Sequence, residues 1–225
     1  MKDNIIIIIP AYNPNYILEE LVENLQRNGY TKIIVINDGS KQQEIFNKIR
    51  GNAIILTHEK NLGKGTALKT GIKYCLENFK DFIGVITVDA DGQHLIKDIN
   101  KIYAKLCENP NKLILGSRNF KDKNIPFRSL IGNRFMRLIF KIKTGTDIYD
   151  TQTGLRGISK MYLNDFYGID GYRYEYETNV LLYAVKRKIK IIQEPIECIY
   201  LNNNKASHFK AIRDSKKIIL RVFGL

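Results

Sequence analysis

Two aspartates one residue apart, Asp89 and Asp91, are the residues of this chain best suited to chemistry. They follow an apolar run, Phe82–Val88, and open the stretch Asp89-Ala90-Asp91-Gly92-Gln93-His94. If the turn bends both carboxylates toward one crevice, they offer hard oxygen ligands for Mg2+ or Mn2+, metals usually held by a few carboxylates plus substrate phosphates. A cation there would neutralise a departing diphosphate. The same tripeptide also reads as a plain polar turn after a strand. Asp38 follows a second apolar run, Lys32–Asn37, and could accept hydrogen bonds from a base or ribose; Asp38-Gly39 is equally an ordinary turn former. Asn61-Leu62-Gly63-Lys64-Gly65-Thr66 has the look of a phosphate loop. It lacks the leading glycine of the Walker pattern, and Leu68 stands where the dinucleotide fingerprint needs a third glycine. Gly63 and Lys64 at a helix start could still meet an anion, or simply turn the chain into a helix.

The elements around these residues set where they sit. Asn4–Ile9, Lys32–Asn37, Ala53–Thr57, Phe82–Val88 and Lys112–Gly116 read as strands. Tyr16–Asn28, Lys64–Phe79 and Ile96–Leu106 carry apolar residues at helical spacing. Continuous apolar strands alternating with helices predict a single α/β domain over 1–225. Its central sheet is Rossmann-like and mostly parallel, with helices on both faces. Ligands collect at the carboxyl ends of such strands. The polar loops Pro10–Asn13, Asp38–Ser40, His58–Gly65 and Asp89–His94 are therefore expected at one edge. Beyond Gly116 the pattern changes. Pro126–Lys143 mixes large apolar residues with Arg128, Arg134, Arg137 and Lys141, which suits either an interfacial helix or an ordinary amphipathic one. Asp150–Gly157 reads as a polar stretch, Glu177–Lys188 as a helix and Ile189–Ile199 as a strand.

Composition narrows the class. The chain has 225 residues, 44% hydrophobic and 26% charged, which excludes a disordered chain. No apolar run is long enough to span a bilayer, and no signal peptide is read at the start. Cys75, Cys107 and Cys198 fit neither a disulfide framework nor a zinc pattern, so a cytoplasmic compartment is expected. The net charge of +13 points to an anionic partner. The excess is concentrated late: Arg118–Lys143 holds eight basic residues against Asp122, and Lys205–Arg221 six against Asp214.

Taken in order, Pro10-Ala11-Tyr12-Asn13, Ile36-Asn37-Asp38-Gly39-Ser40, Asn61–Gly65, Asp89–His94, Gly116-Ser117-Arg118 and Asp150–Arg156 resemble the family 2 inverting glycosyltransferases. Within them the chain is similar to the dolichyl-phosphate (polyprenyl-phosphate) mannosyltransferase branch over about residues 4–220. The resemblance implies that residues 1–115 form a nucleotide-sugar-binding half and 116–225 an acceptor half with a basic C-terminal segment. Pro10, Ala11, Tyr12, Asn13, Asp38, Gly63, Lys64, Asp89 and Ala90 would bind the nucleotide sugar. Asp89, Asp91 and Gln93 would hold the metal. Arg118, Arg156 and Arg213 would face donor and acceptor phosphates. Arg128, Arg134, Ser207 and His208 would lie against the acceptor, and Pro126–Lys143 would be a membrane-surface helix. Two departures stand out. The family often has an acid soon after its Pro-x-Tyr, where this chain has Asn13-Pro14. Many relatives also carry C-terminal membrane-spanning helices, so attachment here is expected from the basic surface, from a membrane-anchoring partner protein, or not at all.

The implied reaction is one in-line displacement with inversion, taking a hexose from a nucleoside diphosphate sugar to a membrane acceptor. Asp91, Asp150, Arg156 and Glu177 are the expected catalytic group. A polyprenyl phosphate needs cations around it; a hydroxyl of a cell-surface glycan or glycolipid needs a carboxylate base, for which Asp150, Glu175 and Glu177 are candidates. The basic acceptor half favours the phosphate and a peripheral position at the inner face of an anionic cytoplasmic membrane. A nucleotidyltransferase shares the strand-end carboxylates. A nucleic-acid-binding module shares only the charge and lacks stacking-aromatic motifs, so no nucleic-acid partner is expected.

Overall fold

The computed structural model describes residues 1–118 and 127–197, with the side chains of 127–131 left aside. Seven strands form one sheet: β1 (Ile5–Ala11), β2 (Ile33–Asn37), β3 (Ile54–Thr57), β4 (Gly84–Thr87), β5 (Leu113–Arg118), β6 (Arg156–Ser159) and β7 (Ile191–Ile196). Their order is β3-β2-β1-β4-β6-β5-β7. All neighbours run parallel except β6, which is antiparallel to both β4 and β5. The helices are α1 (Ile17–Arg27), α2 (Glu44–Ile49), α3 (Lys64–Asn78), α4 (Ile96–Glu108), α5 (Phe127–Thr144), α6 (Leu163–Tyr167) and α7 (Glu175–Lys186).

The isoleucine run of β1 explains the two-faced sheet. Successive strand side chains alternate faces, so Ile5, Ile7 and Ile9 pack with α1, α2 and α4 through Leu18, Val22, Phe46, Ile99 and Leu106. Ile6 and Ile8 pack on the opposite face, with Leu68, Ile72 and Cys75 of α3 and Val180 and Leu181 of α7. All five isoleucines are fully buried, each contributing about 1.5–3 kcal/mol relative to exposure. The expected single α/β domain with a mostly parallel sheet is the architecture observed.

Three elements were not read from the sequence. α2 and α6 are too short for a helical period to emerge. β6 lies partly inside the segment expected as a polar stretch, Asp150–Gly157. Its residues, Arg156-Gly157-Ile158-Ser159, carry no strand-like apolar run. The strand exists because two neighbours supply its hydrogen bonds, and glycine allows close approach: a Cβ on Gly157 would meet Ile102 Cγ2 at 2.9 Å. The boundary expected at 115/116 falls inside β5, and the sheet continues past it. No helix among the described residues is long and apolar enough to cross a membrane.

Candidate active site

The loops after β1, β2, β3 and β4 meet at the carboxyl edge of the sheet, and two clusters occupy that edge. The first is a closed hydrogen-bonded frame. Asn13 N donates to Ser40 Oγ at 2.8 Å and Lys41 N to Asn13 Oδ1 at 3.2 Å. Asn13 sits at φ 47°, in the left-handed region that asparagine tolerates. Ser40 N donates to the buried Asn37 Oδ1 at 2.9 Å. Asp38, 3% exposed, accepts from Leu62 N at 2.9 Å and Gly63 N at 2.8 Å, and meets His58 Nδ1 at 2.8 Å. His58 Nε2 lies 3.0 Å from Thr70 Oγ1. Gly63 has φ 100°, and a Cβ there would stand 2.5 Å from Tyr172 O, so only glycine fits as the chain enters α3.

The second cluster is charged. Lys64, first residue of α3, places Nζ 2.7 Å from Asp89 Oδ1 and 2.9 Å from Glu177 Oε2. His94 Nε2 lies 3.4 Å from Asp89 Oδ2, and Gln93 N donates to Asp91 Oδ1 at 3.1 Å. Burial alone would raise the pKa of Asp89, but the ammonium of Lys64 and the imidazole of His94 hold it well below the usual carboxylate range. Burial and the charge of Asp89 push Asp91 up. Burial would lower the pKa of Lys64, yet Asp89 and Glu177 together raise it, so the ammonium persists. Gly154 faces the Asp89 carboxylate so closely that any Cβ would collide with both oxygens. Thr87 Oγ1 fixes Gly154 by donating to its carbonyl at 2.7 Å.

Arg156 enters at this edge because β6 is reversed. Arg156 is 2% exposed, and its guanidinium donates to Thr153 O at 2.9 Å, Glu177 O at 2.7 Å and Thr151 O at 3.4 Å. It thereby clamps the 151–153 turn against α7. Arg118 and Asp150 form a two-pronged pair, with Nε to Oδ2 at 2.5 Å and Nη2 to Oδ1 at 3.0 Å, and Asp150 is fully buried.

Among the described residues four buried side-chain atoms lack a hydrogen-bond partner: His94 Nδ1, Asn133 Oδ1, Thr151 Oγ1 and Glu177 Oε1. Three belong to residues of, or clamped beside, the charged cluster. Buried polar atoms are normally paired, so these are polar capacity that the described residues leave unmet. No group of three or more His, Cys, Asp or Glu among the described residues could hold a metal. The chain therefore offers a carboxylate pair rather than a cage, a donor set that fits Mg2+ or Mn2+ completed by phosphate oxygens.

The remaining expected residues fall as follows. Pro10 and Ala11 end β1 against Ile36 and Asn37. Tyr12 and Ala90 are half-buried. Arg134 is exposed on α5. The side chain of Arg128, and all of Ser207, His208 and Arg213, lie outside the described residues. The sequence did not single out the Lys64–Glu177 contact, the role of Gly154 beside Asp89, or the His58–Asp38 bond. These join residues far apart in the chain, and no local spacing signals them.

The architecture is a single α/β domain with a mostly parallel sheet, found also in solved structures. Glucosyl-3-phosphoglycerate synthase from Mycobacterium tuberculosis, solved with Mn2+, UDP and phosphoglyceric acid, superposes with a TM-score of 0.76 at 16% identity, covering 99% of this chain and 79% of that one. At that identity the likeness is one of fold. The family model described as glycosyl transferase family 2 matches residues 6–166. The chain belongs to glycosyl transferase family 2, and the protein is a glycosyltransferase. Similar relatives include a UDP-N-acetylglucosamine–dolichyl-phosphate N-acetylglucosaminyltransferase of Methanococcus voltae, 34% identical over 92% of this chain and 90% of its own length. An uncharacterized protein of Methanocaldococcus jannaschii is 36% identical over 88% of this chain and 83% of its own.

Proposed function

We propose that this glycosyltransferase moves a hexose from a nucleoside diphosphate sugar to a polyprenyl phosphate, with inversion and with a divalent metal at Asp89 and Asp91. The observation that carries the phosphate acceptor is the engagement of the carboxylates that a hydroxyl acceptor would need as base. Asp150 is held by Arg118. Glu177 Oε2 is held by Lys64. Glu175 Oε1 accepts from Tyr172 N at 3.1 Å and Arg173 N at 3.2 Å. A phosphate monoester, with its second pKa near about 6, arrives already charged and needs cationic positioning rather than deprotonation. The dolichyl phosphate in the name of the M. voltae relative belongs to the same acceptor class.

When bound, Mg2+ or Mn2+ would stabilise the charge of the departing diphosphate. The chain's own residues do the rest. The Asp38 frame holds the loops 10–13 and 61–63, where Pro10, Ala11, Tyr12 and Asn13 take the nucleoside. Arg156 keeps the 151–154 turn in place, so that Gly154 leaves the Asp89 carboxylate open. Residues 1–115 thus supply most of the donor side, with Gly154, Arg156 and Glu177 reaching it from the later half. α5 buries Met136, Ile139 and Phe140 but leaves Phe135, Leu138 and Ile142 51–70% exposed, beside Arg134, Lys141 and Lys143. That face suits a peripheral position on an anionic membrane.

The second reading, a hydroxyl acceptor, draws on Glu177 Oε1, which has no partner. One assay separates the two. Labelled UDP-N-acetylglucosamine, UDP-glucose and GDP-mannose are supplied with Mn2+ and either a polyprenyl phosphate or an alkyl glycoside. Metal-dependent transfer to the phosphate is expected, with the Glu177→Gln variant losing less than tenfold. Transfer to the glycoside alone, with Glu177→Gln losing about 100- to 10,000-fold, would overturn the lipid-phosphate reading.

A further inference from the structure

Resting on the metal role given to Asp89 and Asp91, we propose that Lys64 is a positioning residue that acts as an internal counter-cation. It occupies Asp89 until a diphosphate arrives, so that metal and nucleotide enter together and metal alone is disfavoured.

The geometry carries this. Lys64 Nζ stands between the carboxylates of Asp89 and Glu177 at 2.7 and 2.9 Å. The lysine side chain is 16% exposed and that of Glu177 8%. Any cation taking the Asp89 carboxylate would stand one carboxylate away from the ammonium. Two positive charges at that spacing, away from bulk water, repel strongly. A diphosphate reverses the balance, because it brings negative charge that the ammonium and the metal can share. The ammonium has a second anchor, since Glu177 sits on the other side and its backbone carbonyl is fixed by Arg156 at 2.7 Å. Lys64 is also the first residue of α3, so it can swing from Asp89 toward a phosphate at the helix start without the helix moving. The closed Asp38 frame holds the turn from which it springs.

The test is Mn2+ binding, read by the loss of the free-ion electron paramagnetic resonance signal, without nucleotide and with UDP or GDP. Lys64→Met is expected to tighten Mn2+ binding in the absence of nucleotide at least tenfold. Glu177→Gln, which leaves more positive charge beside Asp89, is expected to weaken it several-fold. A merely structural role would move both variants the same way. The double variant Lys64→Met/Glu177→Gln keeps the buried charge balanced and guards against a misfolded single variant; it too is expected to bind Mn2+ alone more tightly than the parent protein. Mn2+ binding to the parent protein with UDP or GDP, but no gain in either Lys64 variant, would overturn the counter-cation. No Mn2+ binding to any variant with or without nucleotide would overturn both it and the metal reading.

Discussion

Two clusters share the same edge of the sheet and are built on opposite terms. Around Asp38 both carboxylate oxygens are bonded within the chain, to Leu62, Gly63 and His58. Around Asp89 the charges are close and imperfectly paired. Lys64 is shared between two acids, Asp91 is disfavoured as an anion by burial and by the charge of Asp89, and Glu177 Oε1 has no partner. The first arrangement stabilises the fold by pairing its carboxylate within the chain. The second spends stability on unmet polar capacity, as sites that bind charge do. An acidic residue at a strand end is thus not one kind of residue: its bonds within the chain differ from one strand to the next.

Substitutions can break this contrast. The largest effect is expected for Asp91→Ala. Losing several kcal/mol of charge stabilisation is about three decades in turnover at about 1.4 kcal/mol per decade. Stability should stay within about 1 kcal/mol of the parent, because the substitution also relieves repulsion from Asp89. Rates of product formation and urea midpoints measured on one preparation check both halves. Asp38→Ala is expected to do the reverse. Leaving Leu62 N, Gly63 N and His58 without their acceptor costs about 3 kcal/mol of unfolding free energy, visible as a lowered urea midpoint. Nucleotide affinity measured well below that midpoint should fall by less than turnover does in Asp91→Ala, through the loops 10–13 and 61–63 that the frame holds. If Asp91→Ala unfolds the protein and Asp38→Ala leaves its stability intact, the division into frame and site is wrong. The smallest effect is expected from the outer face of α5. Changing Phe135, Leu138 and Ile142 together to serine should weaken co-sedimentation with anionic vesicles about tenfold at low salt. Thermal stability should be nearly unchanged, since these side chains lie outside the core.

The contrast also separates what the sequence revealed from what it concealed. The isoleucines of β1 announce a strand buried on both faces, and the loops placed by strand-end reasoning do meet. Asp89 and Asp91 were visible because both lie in one turn. Asp38 was equally visible as a residue but not in its bonding, which depends on a loop beginning at His58. Lys64 and Glu177 meet only because α3 and α7 pack on the same face of the sheet. β6 was hidden for a related reason: Arg156-Gly157-Ile158-Ser159 is a strand by virtue of its neighbours, and nothing in its own residues announces it. The outer stripe of α5 was legible as apolar and basic content, but only the burial of Met136 and Phe140 separates its core side from its exposed side.

The Arg118–Asp150 pair has a consequence of another kind. It ties the end of β5 to the turn that leads into β6, so the chain between them departs from and returns to one fixed point on the sheet. Closing a longer loop across that point costs only about 0.6 kcal/mol per doubling of its length. A change in the length of the connection therefore costs the strands little so long as α5 keeps the face that buries Met136, Ile139 and Phe140. The pair works as a grafting junction: connections of different length can hang between those two residues while the strands keep their places.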